Sequence, residues 1–195
     1  MSLIDVPAGQ LAAVVTYLEM KSRPDLIVPL SPLTLHRIHP TPGEYRDLFR
    51  AVGARWLWFS RLIMRDSALR AIIDHSGVEL FEARDGDAVV GMLDLDRRVV
   101  GECELSFVGL IPAYAGKGHG RWLLAEAVVR AWSDATQRVH VHTCSLDHPA
   151  ALGAYRRAGF DAVARKVEIF IDPRLVDILP RDCAPQLPLV GASSI

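Results

Sequence analysis

The sequence predicts an α/β (α+β) fold: one domain with a mostly antiparallel mixed central sheet and helices on both faces. Three observations predict it. Half of the 195 residues are hydrophobic, enough to bury one sizeable core. Between Leu33 and Ile171, short β-rich runs alternate with stretches of helical period. Asp85-Gly86, a strong hairpin turn signal, joins two strand-like runs, and a third follows directly to make a meander.

In chain order, residues 5–20 read as a short amphipathic helix. Asp5 could cap it, Pro7 lies near its start, and Leu11, Val14, Val15 and Leu18 share one side. Pro24, Pro29 and Pro32 then interrupt regular structure, so residues 1–32 are expected to be an extension packed on the main domain. Leu33–Ile38 reads as a strand and Glu44–Val52 as a helix broken by Gly53; an apolar stretch, Trp56–Ile63, follows. Asp66 is the expected N-cap of a helix through Ile73. Strands are expected near 78–83, 88–95 and 102–111, with Pro112 stopping the last. Residues 118–132 read as a helix striped by Leu124, Val128, Ala131 and Trp132. A strand over Val139–Cys144, a helix from Pro149 to about Arg157 stopped by Gly159, and a strand over Ala162–Ile171 complete the domain, 33–171. Residues 172–195 form a proline-rich tail, and its last ten residues are expected to be disordered.

The totals restrict function. A net charge of −1 and a pI of about 6.6 give no electrostatic reason to expect nucleic acid or an anionic membrane as partner. Cys103, Cys144 and Cys183 are odd in number and far apart, with no CxxC, so a disulfide framework is not expected and a reducing cytoplasm fits. The first ten residues lack the pattern of a signal peptide, and no apolar run is long enough to span a membrane.

The most informative segment is Pro112 followed by Ala115-Gly116-Lys117-Gly118-His119-Gly120-Arg121, where a strand stops and a long helix starts. Glycines let backbone approach a ligand, and amides at a helix start point outward without an internal partner. With the helix dipole they make a pyrophosphate site. A plain strand-to-helix turn is the alternative. The spacing, G-x-G-x-G, fits neither the dinucleotide fingerprint G-x-G-x-x-G nor a Walker loop, since Lys117 is followed by Gly118.

This segment resembles the acetyl-CoA loop of the GNAT acetyltransferase superfamily, with Ala115 in the place of the usual Arg or Gln. A second block, His148-Pro149-Ala150-Ala151 through Tyr155 to Gly159-Phe160, is similar to that family's N-x-x-A-x-x-x-Y-x-x-x-G-F pattern, with His148 replacing Asn. The likeness spans about residues 33–171. More narrowly, the chain resembles a bacterial subgroup with W-x-W-F (Trp56–Phe59) and H-T-x-x-x-D-H-P (His142–Pro149) segments.

The resemblance implies transfer of an acetyl group from acetyl-CoA, as cosubstrate, to a small-molecule primary amine in a ternary complex. It implies that the 115–121 loop and His148 hold the coenzyme and that Phe107, Val108, Gly109 and Leu110 line its pantetheine arm, with a backbone N–H near Leu110 polarising the thioester oxygen. Gly109 is expected to help the strand bend. Tyr155 would lie beside the sulfur and donate a proton or a hydrogen bond to the leaving thiolate; a half-buried helix residue reaching solvent is its plainer reading. An amine of pKa about 10.4 must lose a proton to attack. Glu104, placed where some members carry a basic Glu, is the candidate base, its pKa raised by partial burial; solvated strand residues are the alternative for Glu104 and Glu102. Asp94 and Asp96 are weaker candidates.

His140, His142 and Cys144 share a strand face, and with His148 they could mimic a zinc site; packed or hydrogen-bonded residues beside the cleft explain them better, and no metal is expected. Cys144 as an acyl carrier would need a lowered pKa. Trp56, Trp58 and Phe59 read as core and cleft wall, or as a cation–π cage. Arg156 and Arg157 either reach a coenzyme phosphate or are solvated. A non-catalytic CoA or acyl-CoA sensor is the rival function. Polyamine, amino acid, aminoglycoside and protein amines all remain open as acceptors, and an exposed strand edge could support a homodimer.

Overall fold

The structure, a computed structural model, describes residues 3–191. Its centre is a seven-stranded sheet in the order β2-β3-β4-β5-β6-β1-β7. The strands are β1 (Gln10–Met20), β2 (Thr34–Ile38), β3 (Val78–Asp85), β4 (Ala88–Asp96), β5 (Glu102–Leu110), β6 (Arg138–Cys144) and β7 (Asp161–Ile171). All pairings are antiparallel except β5 with β6. Four helices flank the sheet: α1 (Pro42–Gly53), α2 (Asp66–Ile73), α3 (His119–Ala131) and α4 (Ala151–Arg157). Among the described residues, no helix is long and apolar enough to cross a membrane.

The expected helix at residues 5–20 is instead strand β1, so this part of the chain is no extension. It lies inside the sheet, between β6 and β7. The misreading has a physical cause. Ala13 and Val15 are buried on one face of the sheet, and Thr16, Leu18 and Met20 on the other. A strand covered on both faces carries apolar residues at both parities, and these also satisfy an i, i+3, i+4 count.

Helix α1 begins at a capping box: Thr41 Oγ1 accepts from the Glu44 amide and Glu44 Oε2 accepts from the Thr41 amide, with Pro42 in the first turn. Such a cap contributes about 1 kcal/mol. Helix α2 has Arg65, not Asp66, at its N-cap; Asp66 sits in the first turn, where its charge suits the dipole. Tyr45, Phe49 and Val52 of α1 and Leu69 and Ile73 of α2 bury against Val78, Leu80 and Met92, forming one core on one face. On the opposite face Trp122, Leu123, Ala127 and Val128 of α3 join Leu18, Leu93, Leu95, Leu105, Val139, Val141, Tyr155 and Phe160 in the main core.

Two irregularities open the sheet. In β5, Leu105 faces Leu95 and Phe107 faces Asp94, so Ser106 is an extra residue and the strand bulges there. Then β5 and β6 pair only over Glu102–Glu104 and Arg138–His140; beyond that the two strands part, and β6 continues along β1. The bend expected at Gly109 thus lies at Ser106. Gly109 is small for another reason: a Cβ there would sit 2.8 Å from Val52 Cγ1 and 3.4 Å from Trp58 Cη2.

The tail is a packed element. Arg174 is 1% exposed and Asp172 2%. The guanidinium donates to both oxygens of Asp172, at 3.0 and 2.7 Å, and to the main-chain carbonyls of Cys183, Ala184 and Leu187. A buried charge is tolerated because it is paired and its donors are met. This staple sets Leu179 and Ala184 against Leu57, behind the wall of the site. Of the ten residues expected to be disordered, 186–191 are placed, with Gln186 Nε2 donating to the Arg55 carbonyl and the Val190 carbonyl accepting from the Gly9 amide; residues 192–195 lie outside the described residues.

Candidate active site

Where β5 and β6 part, a cleft of about 1130 Å³ opens. One end is the glycine loop. Gly116 and Gly118 have φ of +76° and +88°, and a Cβ placed on Gly116, Gly118 or Gly120 meets no atom within 4 Å. The Ala115 amide donates to Pro112 and the Arg121 amide to Gly118. Between them, the amides of Gly116, Lys117, Gly118, His119 and Gly120 find no acceptor among the described residues. The free donors are therefore five, the residues between Ala115 and Arg121. They stand at the start of the 13-residue helix α3, where the dipole favours an anion.

Ala115, Gly116, Gly118, Gly120 and Arg121 line the cleft, as do Val108, Gly109, Leu110, His148, Tyr155 and Glu104. Lys117 and His119 do not: the Lys117 ammonium lies 5.2 Å from the centre of the Tyr114 ring and the His119 ring 5.9 Å from it. Tyr114 in turn donates to Asp85 Oδ2 at 2.8 Å, tethering the loop to the β3–β4 hairpin.

Along β5, the Ile111 amide donates to the Val90 carbonyl on β4. Strand groups alternate in direction, so the main-chain groups of Leu110 and Val108 face the gap left by β6. Tyr155, on α4, is 9% exposed, packs edge-to-face on Phe160 at 5.9 Å, and its hydroxyl makes no hydrogen bond among the described residues. Burial, helped by the nearby Asp147 charge, pushes its phenol well above the ordinary value.

The carboxylate of Glu104 lies 3.4 Å from Nδ1 of His142. Its pKa is not raised, as expected from burial, but lowered: the His142 contact outweighs desolvation. The same contact raises His142. Folded His142, above its ordinary 6.5, contributes stability present below that value and lost as pH rises through the folded value. Glu104, below its ordinary 4.5, contributes stability present above that value and lost as pH falls through the folded value. The pair thus stabilises most between 4.5 and 6.5. The loss of melting temperature in Glu104→Gln is expected to be largest in that window and to shrink by about pH 9; an equal loss at all pH values would show that the pair does not form.

The other candidates resolve differently. Asp94 is buried beneath the site, accepts from Tyr45 Oη at 2.5 Å, and desolvation raises it to about 7; it does not line the cleft. Asp96 is held low by Arg98 against its own desolvation. Cys144 lines the cleft, but burial raises its thiol to about 11, the opposite of the lowered value an acyl carrier needs. His140 lies 3.4 Å from Glu102 as His142 does from Glu104, and among the described residues no group of three is arranged to hold a metal.

The three aromatic residues of Trp56–Phe59 all line the cleft, each against different partners. Trp56 meets His148 edge-on at 5.1 Å, Trp58 packs among Phe49 and Phe107, and Phe59 lies 5.1 Å from Phe170. The backbone is shaped for this. Leu57 has φ +57°, and a Cβ on Gly53 would sit 2.5 Å from Trp58, so only glycine lets Trp58 cross the end of α1. Asp147 links the two sequence segments: Oδ1 accepts from Trp58 Nε1 at 3.0 Å, and Oδ2 from Thr143 Oγ1 and the Cys144 amide at 2.7 and 2.8 Å. Sequence reading missed Asp147 as a hub, and missed Phe170, Glu168 and Arg61 as cleft residues; Arg157 lines the cleft, whereas Arg156 does not. The W-x-W-F and H-T-x-x-x-D-H-P spacings were the signal for Asp147, but nothing in one sequence shows which side chains they join.

The profile of the Acetyltransferase (GNAT) family matches residues 42–160. None of the curated proteins compared matches the chain in sequence. Among solved structures, a GCN5-related N-acetyltransferase from Sphaerobacter thermophilus superposes with a TM-score of 0.58 at 18% identity, over 81% of this chain and 51% of that one. A GCN5-related N-acetyltransferase from Kribbella flavida gives 0.54 at 20% identity, over 87% and 63%. An aminoglycoside acetyltransferase from an uncultured soil metagenomic sample, in complex with sisomicin, gives 0.52 at 16% identity, over 65% and 87%. The chain thus spans 51% of the Sphaerobacter protein and 63% of the Kribbella protein. At these identities the likeness is one of fold.

Proposed function

The chain belongs to the Acetyltransferase (GNAT) family, and from that premise we propose that it transfers the acetyl group of acetyl-CoA to a primary amine by direct attack. The observation that carries the reading is the run of five acceptor-free amides, Gly116–Gly120, opening on a cleft that also holds Tyr155 and Glu104. The empty space around the three glycines suits a diphosphate, because backbone donors need nothing from the Arg or Gln that Ala115 replaces. The W-x-W-F and H-T-x-x-x-D-H-P segments are read as the mark of a bacterial subgroup, and a reducing cytoplasm suits three free thiols.

When bound, acetyl-CoA supplies a thioester whose C–S bond breaks as the amine forms its N–C bond. Glu104, paired with His142, takes the proton released by the amine nitrogen. The Leu110 amide, facing the gap, stabilises charge on the carbonyl oxygen. Tyr155 keeps its proton because it is buried, and its hydroxyl donates a hydrogen bond to the departing sulfur or gives it that proton, recovering one from solvent as the products leave. No covalent enzyme intermediate is needed, in keeping with the high thiol pKa of Cys144. Thiol release from acetyl-CoA against a panel of primary amines tests the reading: release that depends on an amine is expected, and silence across the panel with coenzyme A still bound would favour the sensor.

A further inference from the structure

On the face of the sheet covered by α1, the cleft continues past His142 over β1, β6 and β7. Its floor there is Ala13, Val15 and Cys144. Phe170 and Glu168 stand on the same face of β7, two residues apart. Phe59 closes over Phe170, with ring centres 5.1 Å apart at 32°, and Leu57, itself 3% exposed, is fixed behind by Leu179 and Ala184 of the stapled tail. Glu168 makes no ion pair or hydrogen bond among the described residues, although its charge is felt at both His142 and Cys144. Lys166 sits 5.0 Å from the centre of the Tyr17 ring and does not line the cleft; Arg61 does line it, its guanidinium 5.2 Å from the centre of the Phe107 ring.

Resting on the acetyl-transfer reading, we propose that this end is the acceptor subsite, and that it takes a primary amine carried on a ring or similarly compact apolar body. The Phe59–Phe170 pair and Leu57 hold the apolar part, Glu168 attracts the ammonium group, and the nitrogen is delivered to Glu104 and His142. The hydroxyls of an aminoglycoside would be buried against rings that offer them no hydrogen-bond partner, and the further ammonium groups of an aminoglycoside or a polyamine would share the cleft with the guanidinium groups of Arg61 and Arg157. A free amino acid would bring its carboxylate towards Glu168 and Glu104. Both classes are therefore selected against by the same walls that favour the aryl amine.

The test compares kcat/KM for 2-phenylethylamine, spermidine, kanamycin, glycine and Nα-acetyl-lysine amide. The expected result is a roughly tenfold or larger advantage for 2-phenylethylamine, lost in Phe170→Ala and in Phe59→Ala. In Glu168→Gln, KM for 2-phenylethylamine is expected to rise several-fold at low ionic strength, with less change at high salt. A preference for any of the other four acceptors, or an advantage that survives both phenylalanine substitutions, would overturn the proposal while leaving acetyl transfer intact. Binding of 2-phenylethylamine to the coenzyme A complex, weakened by Phe170→Ala but with no turnover of any amine, would overturn acetyl transfer and leave the apolar subsite supported.

Discussion

Replacing Tyr155 by Phe is expected to lower kcat by about 100-fold while changing coenzyme A affinity by no more than about twofold. The substitution removes one oxygen and keeps the ring that packs on Phe160 at the end of α4. The lost hydroxyl has no hydrogen-bond partner among the described residues, so its removal leaves no orphaned group in the protein. What disappears is a proton source for the leaving sulfur. Burial and the Asp147 charge both favour the protonated phenol, so this acid stays loaded across the neutral range and sets no alkaline limb there. Stopped-flow thiol release with a saturating amine measures the effect, alongside a coenzyme A titration. If Tyr155 were only a packing residue, the Phe variant would retain wild-type kcat; a matched fall in kcat and affinity would place it in coenzyme binding instead.

Much of the frame was legible because local chemistry dictates it. Asp85-Gly86 makes a hairpin wherever apolar runs flank it, and a strand ending at Pro112 before alternating glycines leaves few options but an exposed helix start. The features that were misread are those decided by distant partners. Whether Leu11–Leu18 is helix or strand depends on β6 and β7 lying on either side, which no window of sequence contains. Arg174 carries no local signal of its role in the sequence; it is a buried staple because Asp172 and three carbonyls converge on it. Glu104 was expected to be raised by burial, yet His142, 38 positions later, reverses the direction. The acceptor end was invisible for the same reason: Phe59 and Phe170, 111 positions apart, meet only once β7 has paired with β1.

The second large effect is expected in the loop. Gly118 has φ +88°, which a β-branched side chain strongly resists, so Gly118→Val must turn the backbone and redirect its amides. A Cβ there meets nothing within 4 Å, so the change disturbs no core contact. Coenzyme A affinity is expected to fall by about 100-fold or more, the equivalent of roughly 2.7 kcal/mol of lost hydrogen bonding and dipole interaction. Thermal stability of the free protein should shift far less than that of a core variant. A Val variant that binds coenzyme A normally would show that the amides do not hold it.

The grip of the free main-chain donors from Gly116 to Gly120 on the diphosphate underlies every step of the proposed reaction. Its most direct measurement is a titration of coenzyme A into the wild-type protein, followed by the backbone amide resonances of those five residues. Saturable shifts are predicted at all five, absent when Gly118→Val is titrated over the same range. Coenzyme A that fails to bind, or that binds while these five amides stay unmoved, would contradict the account.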